Sequence, residues 1–410
     1  MLKFHRKTIY EALGRESVHP FPARMAPGIA LQVMSDETES IRVLDPMMGS
    51  GTVLAMARLL GHRGIGYDVD PLAVLISRVW TTSFNLKEVR ERSKEVLDTA
   101  RAIFRTLPQG DAYPSNSDEE TQAFIRYWFD GYARRQLASL SYAIDLVDCE
   151  ATRDALWCAF SRLIISKQYG ASLAMDLSHS RPHRTFKHAP SKPFRKFLWQ
   201  VERVLVNVID KNSLSRGPAP TVCMGDARNM PIRKDSVDLV LTSPPYLNAI
   251  DYIRCSKFSL VWMGYSIAEL RHLRTNSVGT ETGTDSPLDD PDISQIIGTL
   301  NIRRSMAPRD QRILGRYIGD MREAIQEVAR VLSRPGKAVY IVGENTLKGT
   351  YIKTSVIVSK LAELSGLTQQ ERRTRALPAN RRYMPPPISS QSTGTMNTRM
   401  RREVVLTFAK

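Results

Sequence analysis

Residues 41–52 read IRVLDPMMGSGT and join a short apolar run to a glycine-rich turn. The apolar run ends in Asp45, and the Ala- and Leu-rich stretch 53–60 follows the turn with helical periodicity. This order predicts a strand, a glycine loop and a helix. Residues 64–68 form another short predicted strand that ends in an acid, and residues 71–79 predict the next helix. The unit is therefore βαβα, and the predicted fold class is α/β.

The glycine loop lies at the carboxyl end of the first predicted strand, where open α/β sheets place their ligands. Gly49 and Gly51 would let the backbone approach a ligand closely, and the amides of the following helix could hold a carboxylate. The third glycine of a dinucleotide fingerprint is replaced by Leu54, and no Gly-Lys-Ser/Thr follows. The loop therefore predicts a cofactor that is neither a dinucleotide nor a nucleoside triphosphate. A tight strand-to-helix turn without a ligand is the alternative.

Acidic residues follow the predicted strands at three places. Asp68 ends the second strand, where a carboxylate can accept hydrogen bonds from two ribose hydroxyls. Asp226, in a Cys-Met-Gly-Asp-Ala segment, could accept from an adenine amino group, with the backbone of Ala227 nearby. Asp70 is predicted to cap the helix that begins beside it. Each acid alone could be a turn residue, but Asp45, Asp68 and Asp226 at three strand ends predict one crevice.

Residues 242–246 read TSPPY and directly follow the apolar run 237–241, which is a predicted buried strand. Two successive prolines fix the backbone and remove two amide donors, so that their carbonyls are presented as rigid acceptors. An exposed turn or a polyproline ligand is the alternative interpretation. The position at a strand's carboxyl end, beside the predicted crevice, favours a catalytic role.

The segments DPxxGSGT, GYD, GDA and TSPPY together resemble the amino-methylating DNA methyltransferases of bacteria, which act on N4 of cytosine or N6 of adenine. The resemblance implies a Rossmann-like S-adenosylmethionine-dependent methyltransferase fold, with a mixed, mostly parallel seven-stranded sheet and an inserted helical subdomain. S-adenosylmethionine is the implied cofactor. Its implied contacts within the matching segments are Asp45, Pro46, Gly49, Ser50, Gly51, Thr52, Asp68, Asp226 and Ala227. Met47 stands where this family commonly has Phe, so the local packing around the cofactor is expected to differ.

Upstream of the glycine loop, residues 19–25 read HPFPARM. They resemble the segment that, in this family, precedes the loop and packs over the methionine part of the cofactor. The resemblance adds Phe21 and Pro22 to the expected cofactor contacts. A Pro-rich turn before a helix is the alternative.

The implied catalytic residues are Ser243, Pro244, Pro245 and Tyr246. An exocyclic amine is a poor nucleophile because its lone pair is delocalised into the ring. The resemblance implies that the Ser243 hydroxyl and the Pro244 carbonyl accept hydrogen bonds from that amine, while Tyr246 stacks on the extruded base. In-line attack on the methyl group then needs alignment rather than a covalent intermediate. Residues expected to contact the substrate farther along are Asn248, Asp251, Tyr252 and Arg254.

In the family that the chain resembles, Ser before Pro-Pro-Tyr is the usual form for cytosine, whereas Asp or Asn prevails for adenine, so the resemblance implies cytosine N4 as the target. None of the four cysteines follows a proline, which argues against carbon-5 methylation through a nucleophilic thiol. Methylation of adenine N6, methylation of an RNA base, and a non-catalytic DNA-binding subunit remain alternatives.

The 58 Lys and Arg outnumber the 42 Asp and Glu and give a formal net charge of +16. Such a balance favours a polyanionic partner, here double-stranded DNA, although it also aids solubility. No stretch approaches a membrane span and no signal peptide is evident, so a bacterial, cytoplasmic and nucleoid-associated enzyme is expected. The four widely spaced cysteines indicate neither a disulfide framework nor a zinc cluster, and no metal is expected.

The expected organisation is a methyltransferase domain in two parts, 1–84 and 221–410, separated by a helical insertion at 85–220. The insertion is the predicted target-recognition region, and a second, mobile insertion at 266–310 is the alternative. Two basic segments, an exposed loop at 178–196 and residues 372–382, are the predicted DNA contacts. A homodimer, and a restriction or phage-defence partner, are left open.

Overall fold

The computed structural model describes residues 7–21, 25–167, 169–175, 177, 182–211, 217–247, 252–280, 287–302, 306–347, 350–377 and 402–410. The α-helices in these residues are α1 (Ile9–Leu13), α2 (Pro27–Met34), α3 (Thr52–Leu60), α4 (Pro71–Thr81), α5 (Leu86–Thr106), α6 (Glu119–Trp128), α7 (Gly131–Asp145), α8 (Glu150–Ile164), α9 (Pro193–Leu205), α10 (Tyr252–Leu260), α11 (Ile267–Thr275), α12 (Pro291–Thr299), α13 (Pro308–Val331) and α14 (Thr354–Leu364).

The strands are β1 (Arg42–Asp45), β2 (Arg63–Asp68), β3 (Ser83–Phe84), β4 (Ala174–Met175), β5 (His183–Arg184), β6 (Ile209–Asp210), β7 (Thr221–Met224), β8 (Val237–Thr242), β9 (Leu332–Gly343), β10 (Asn345–Leu347), β11 (Thr350–Ile352), β12 (Thr368–Ala376) and β13 (Arg402–Ala409). Short 3-10 turns lie at Gln109–Asp111, Val261–Met263 and Pro287–Asp289.

Seven of the strands form one sheet in the order β12-β13-β9-β8-β1-β2-β7. Neighbours from β9 to β7 pair in parallel, whereas β13 pairs antiparallel with both β9 and β12. The predicted mixed, mostly parallel seven-stranded sheet is therefore confirmed. Because β1, β2, β7 and β8 are parallel, the glycine loop, Asp68, Asp226 and the TSPPY segment all follow the same edge of the sheet.

The central strands are rich in apolar residues, as expected for a sheet that is covered on both faces. On one face Val43, Leu241 and Ile341 pack with α2, α3, α4 and the helices of the insertion. On the other face Leu44 and Val240 pack with residues of α12, α13 and α14. Successive side chains of a strand point to opposite faces, so a continuous apolar run serves both layers.

The helical insertion packs on the first of these faces and shares its core, with Leu137, Phe160 and Phe197 among the buried members. Within the insertion, α6 and α7 are separate helices, and Asp130 caps α7 by accepting from the amides of Tyr132 and Ala133. The boundaries of this subdomain at 85 and 220 stay predictions.

The predicted exposed loop at 178–196 has more structure than expected in its described part. His183–Arg184 pairs antiparallel with Ala174–Met175, and α9 begins at Pro193. A proline at the first helical position and an apolar stripe at helical spacing produce this helix. The interpretation of the whole segment as a loop was therefore wrong.

The segment 266–310, predicted to have little periodicity, contains α11, α12 and the start of α13 in its described residues. Ser266 forms a capping box with Glu269 at the start of α11, and Asp290 caps α12. Short helices of this kind depend on caps and on a few buried contacts, such as those of Ile293 and Ile297, so their periodicity is easily missed.

No helix in the described part of the chain is long and apolar enough to cross a membrane. The same residues contain no group of three or more His, Cys, Asp or Glu side chains that could hold a metal ion. All four cysteines are free thiols.

Candidate cofactor and catalytic site

The glycine loop after β1 depends on both of its glycines. Gly49 has φ +50° and Gly51 has φ +80°, a conformation that side chains with a Cβ rarely adopt. A Cβ on Gly51 would also lie 2.7 Å from the Ser77 hydroxyl of α4, and that hydroxyl donates to the Gly49 carbonyl at 2.8 Å. The loop is thus held against α4, with Gly51 at the N-terminus of α3.

Asp68, at the end of β2, is bonded to this loop. Its Oδ2 accepts from the Gly49 amide at 2.8 Å, and its Oδ1 accepts from the Asp70 amide at 2.9 Å. Burial raises the pKa of Asp68, and these backbone hydrogen bonds act in the opposite direction. Each carboxylate oxygen has a second lone pair, so these bonds leave acceptor capacity for hydroxyl donors, and the contact of Asp68 with the ribose stays a prediction.

Asp45 joins the glycine loop to the TSPPY segment. Its Oδ1 accepts from the Thr242 hydroxyl at 2.8 Å and from the Met47 amide at 3.2 Å. Both Asp45 and Thr242 are buried. Burial raises the pKa of Asp45 from 3.8 to about 7, although the hydrogen bonds from Thr242 and Met47 lower it. The sequence predicted Asp45 as a cofactor contact but gave no signal for this link to Thr242.

The buried Asp45 carboxylate makes the stability of the fold depend on pH. Its pKa is higher in the folded chain than in the unfolded one, so the ionised form costs stability above about pH 4, and the cost grows until the pH passes about 7. Asp45→Asn keeps an acceptor for Thr242 and Met47. We expect the variant to be more stable than the parent at pH 8, by at most about 4 kcal/mol, with a smaller gain at pH 5.

Urea unfolding of parent and variant at the two pH values measures this difference. A gain of equal size at pH 5 and pH 8, or a variant that is less stable at pH 8, contradicts the prediction.

Phe21 lies beside the glycine loop, and its contact with the methionine part of the cofactor stays a prediction. Its ring carbon Cε1 is 3.9 Å from the position that a Cβ on Gly49 would take, and the ring stacks on Tyr252 at 5.6 Å between centroids. Burial raises the pKa of Tyr252, and the charges of Asp68 and Asp70 raise it further. Phe21 and Tyr252 therefore form one aromatic wall beside the two carboxylates.

A buried polar chain holds the segment that carries Phe21. His19 Nε2 lies 2.9 Å from the Ser161 hydroxyl of α8, which lies 2.8 Å from the Ser259 hydroxyl of α10. The chain thus connects this segment to the helices that pack beside the site. Pro22, Asn248 and Asp251 lie outside the described residues.

Asp70 caps α4, as predicted, by accepting from the Leu72 amide at 2.9 Å. Its other oxygen accepts from the Ser256 hydroxyl at 2.5 Å, which ties α10 to α4. Burial and the neighbouring Asp68 raise the pKa of Asp70 to about 7, against the hydrogen bonds of Ser256 and the α4 amides.

Asp226 is near the crevice but is already engaged. The Gly225 amide donates to the Asp68 carbonyl at 3.0 Å, so this segment lies beside the end of β2. The Arg228 guanidinium donates to both Asp226 oxygens, at 2.6 Å from its NH2 group to Oδ2 and 3.0 Å from Nε to Oδ1. It also donates to Asp320 of α13 and to the Asn276 carbonyl. The role of Asp226 toward adenine stays a prediction, and Arg228 is a partner that the sequence did not indicate.

The remaining predicted cofactor residues lie around the loop, and all four are buried: Pro46, Ser50, Thr52 and Ala227. The Thr52 hydroxyl is buried without a hydrogen-bond partner in the described part of the chain. A buried hydroxyl of this kind at a helix N-terminus suits a carboxylate ligand, since a lost hydrogen bond there is costly. The loop, Thr52 and Asp68 together fit an amino-acid and ribose ligand such as S-adenosylmethionine.

The catalytic segment ends β8 beside Asp45. Ser243, Pro245 and Tyr246 are partly exposed and Pro244 is buried. The Tyr246 hydroxyl donates to Glu403 Oε1 at 3.3 Å, and the Tyr317 hydroxyl donates to the Pro245 carbonyl at 3.3 Å. Burial raises the pKa of Tyr246 well above its usual value, as does the Glu403 charge, whereas a hydrogen bond with Ser243 lowers it.

Glu403, in β13, was not expected at this site. It accepts from Arg375 Nε at 2.9 Å, and both side chains are about six-sevenths buried, with exposures of 14% and 16%. The antiparallel register places Arg375 directly opposite Glu403. Glu403 is more than 150 residues from Tyr246 along the chain, so only the sheet brings them together.

Several known proteins are similar in sequence to this chain. The Type II methyltransferase M.MvaI from Kocuria varians is 21% identical over 410 residues, covering 95% of this chain and 89% of the relative. M.AvaI from Nostoc sp., also a Type II methyltransferase, is 22% identical and covers 90% and 80%. M.BsoBI from Geobacillus stearothermophilus is 23% identical over 303 residues, covering 66% and 58%.

The similarity covers most of the chain, and the glycine loop with Asp68 fits S-adenosylmethionine. The chain is an S-adenosylmethionine-dependent methyltransferase. No family model matches it.

Solved structures that resemble this methyltransferase include a TehB-like S-adenosylmethionine-dependent methyltransferase from Corynebacterium glutamicum, at 8% identity and a TM-score of 0.30, covering 93% of this chain and 86% of that one. The rRNA methyltransferase aviRa from Streptomyces viridochromogenes has 9% identity and a TM-score of 0.31, covering 98% and 96%.

Proposed function

We propose that this methyltransferase transfers a methyl group to the exocyclic N4 of cytosine in double-stranded DNA, at specific sites. The observation that carries the proposal is the bond between Thr242 and Asp45, which fixes Ser243-Pro244-Pro245-Tyr246 beside the glycine loop. A methyl acceptor bound at Ser243 would thereby lie next to the cofactor crevice. The similarity to Type II methyltransferases and the net charge of +16 support DNA as the substrate.

The catalytic segment would act by orienting the target amine. The Ser243 hydroxyl and the Pro244 carbonyl accept hydrogen bonds from the two N–H groups, which localises the nitrogen lone pair. Bound S-adenosylmethionine supplies an electrophilic methyl on a sulfonium. The glycine loop and Asp68 would hold the cofactor, and the lone pair localised by Ser243 and Pro244 would be directed at its methyl group. Positioning supplies most of the rate gain in such a step.

A base in a duplex is stacked and cannot reach this crevice, so the cytosine is extruded first. The partly exposed Tyr246 ring is the proposed stacking surface for the extruded base. The helical insertion is the proposed target-recognition region, and the helices in 266–310 are the alternative.

The decisive experiment incubates the full chain with mixed-sequence duplex DNA and methyl-labelled S-adenosylmethionine and identifies the labelled nucleoside by mass spectrometry. N4-methylcytosine is the expected product. N6-methyladenine alone would reject the cytosine assignment and keep a DNA amino-methyltransferase. Label in duplex RNA but not in DNA would reject DNA as the substrate.

Glu403 is proposed to position Tyr246. Glu403→Ala removes the acceptor of the tyrosine hydroxyl and leaves Arg375 without its partner, and we expect kcat to fall on the order of tenfold because stacking geometry is lost. Glu403→Gln keeps an oxygen acceptor and should retain at least about a third of the parental kcat.

Steady-state kinetics of both variants, with the S-adenosylmethionine dissociation constant as a control, test this role. An equal loss of kcat in the alanine and glutamine variants would show that Glu403 acts through its ion pair with Arg375 and not by positioning Tyr246.

A further inference from the structure

We propose that one face of α9 binds the phosphate backbone of the DNA duplex. This face, called the α9 face below, consists of Lys192, Lys196, Trp199 and Arg203. Their spacings of four, three and four residues place them on the same side of a helix. The proposal rests on the proposed function and names the surface by which the substrate is held.

The α9 face carries positive charge that no acid among the described residues pairs with. Residues 182–205 contain six Lys or Arg, and their single acid, Glu202, is paired with Arg90 at 2.8 Å. Within the described chain none of the six cations forms an ion pair: Arg184, Lys187, Lys192, Arg195, Lys196 and Arg203. An exposed row of unpaired cations is the electrostatic footprint that a polyanion requires.

The other predicted basic segment differs in this respect. Arg375 is paired with Glu403, Arg373 with Glu371, and Arg372 lies 3.9 Å from Glu344. These arginines lie on β12, at the edge of the sheet, where charges also protect an unpaired strand. Their charge is largely neutralised within the chain, so α9 is the stronger candidate.

Aromatic rings hold the α9 cations in place. Trp199 is 54% exposed, with Lys196 Nζ at 5.4 Å and the Arg203 guanidinium at 5.9 Å from its ring centroid. Lys192 Nζ lies 5.4 Å from the ring of Tyr132, which is 52% exposed. Large exposed aromatic rings flanked by cations are costly to leave in water and suit a nucleic-acid surface.

The face is also attached firmly to the fold. The Phe194 amide, in the first turn of α9, donates to Gln136 Oε1 of α7 at 3.2 Å. The Ala189 amide, just before α9, donates at 2.5 Å to Oδ2 of Asp130, which caps α7. Phe194 also packs on Phe104 of α5. Because the backbone that carries these cations is already held in place, little conformational entropy would be lost when they bind phosphates.

Packing connects this part of the molecule to the catalytic segment. Leu173, in the segment before β4, donates to the Trp128 carbonyl at the end of α6, and the Trp128 ring contacts Phe258 of α10 at 5.0 Å. The first residue of α10 is Tyr252, which stacks on Phe21 beside the glycine loop. The segment before β4 and the helices beside the site are thus in direct contact.

The test measures binding of a fluorescein-labelled mixed-sequence duplex by anisotropy over a range of salt. Phosphate contacts do not depend on sequence, so the recognition sequence is not needed. The variant Lys192→Gln/Lys196→Gln/Arg203→Gln removes three charges from the α9 face. The control Lys87→Gln/Lys94→Gln/Arg101→Gln removes three exposed charges from α5 of the same insertion.

We expect the α9 variant to raise Kd at least about tenfold at 0.1 M salt and to lower the slope of log K against log salt by roughly 2 to 3, since each phosphate contact contributes about 0.9. The α5 control should stay within about twofold of the parent. Unchanged S-adenosylmethionine affinity shows that the α9 variant is folded.

A variant on α9 that binds duplex DNA like the α5 control overturns the proposal, as does a parent chain that binds duplex RNA and not DNA. Failure of the proposed function is a separate result. If no methylated base forms but the α9 variant still loses affinity for the duplex, the α9 face binds DNA and the proposed methyl transfer to DNA is rejected.

Discussion

Replacing Ser243 by alanine is expected to lower kcat for methyl transfer on the order of 10²-fold or more, while the affinity for S-adenosylmethionine stays within about twofold of the parent. The hydroxyl is the proposed acceptor for one amine N–H, so its loss affects the step in which the lone pair is localised. Thr242 and its bond to Asp45 remain, so the cofactor crevice keeps its shape.

Ser236→Ala is the matched control, since Ser236 flanks the other end of the same strand and its hydroxyl donates only to the nearby Arg233 carbonyl at 2.5 Å. Single-turnover rates on duplex DNA, with calorimetric cofactor binding, measure both variants. If Ser243→Ala retains more than about a third of the parental rate, Ser243 is not an acceptor in the reaction.

Replacing Gly51 by alanine should weaken S-adenosylmethionine binding at least about tenfold and destabilise the fold by roughly 1 to 3 kcal/mol. The residue has φ +80°, and a Cβ there would lie 2.7 Å from the Ser77 hydroxyl. Relief of that contact requires a shift of the loop or of Ser77, whose hydroxyl supports the Gly49 carbonyl. Isothermal titration calorimetry and urea unfolding measure the two effects.

Gly61→Ala is the control that distinguishes backbone strain in α3 from a change in the shape of the glycine loop. Gly61 ends the same helix α3 with φ +87°, so its substitution carries a comparable conformational cost far from the crevice. It should lose stability but keep cofactor affinity. Equal loss of affinity in both variants would mean that α3 stability alone, and not the shape of the loop, controls binding.

Much of the fold could be predicted because the signals are local. The run 41–52 has its strand, glycine turn and helix in direct succession, and the structure places β1, the loop and α3 there. The run 237–246 predicted a strand followed by a rigid proline segment, and β8 ends at Thr242. Apolar periodicity and backbone restrictions act within a few residues, so they can be read without knowledge of the fold.

The predictions that were wrong concern segments whose local signals are weak. The described residues of 178–196 form one strand of a small pair and the start of α9 rather than a loop, and those of 266–310 contain helices that the sequence did not indicate. Some of the contacts that hold these segments come from residues distant in sequence, as when Asp130 accepts from the Ala189 amide. Tertiary packing stabilises such elements more than the intrinsic helix or strand propensity of their residues does, so the sequence pattern alone does not reveal them.

The sequence by itself determined the α/β class, the glycine loop with Asp68 beside it, and the position of Ser243-Pro244-Pro245-Tyr246 at a strand end. Only the tertiary structure decided which side chains meet: Thr242 with Asp45, Tyr246 with Glu403, and Arg228 with Asp226 and Asp320. The first set follows from backbone geometry, which neighbouring residues dictate. The second depends on strand order and helix packing, which bring together residues that are far apart along the chain.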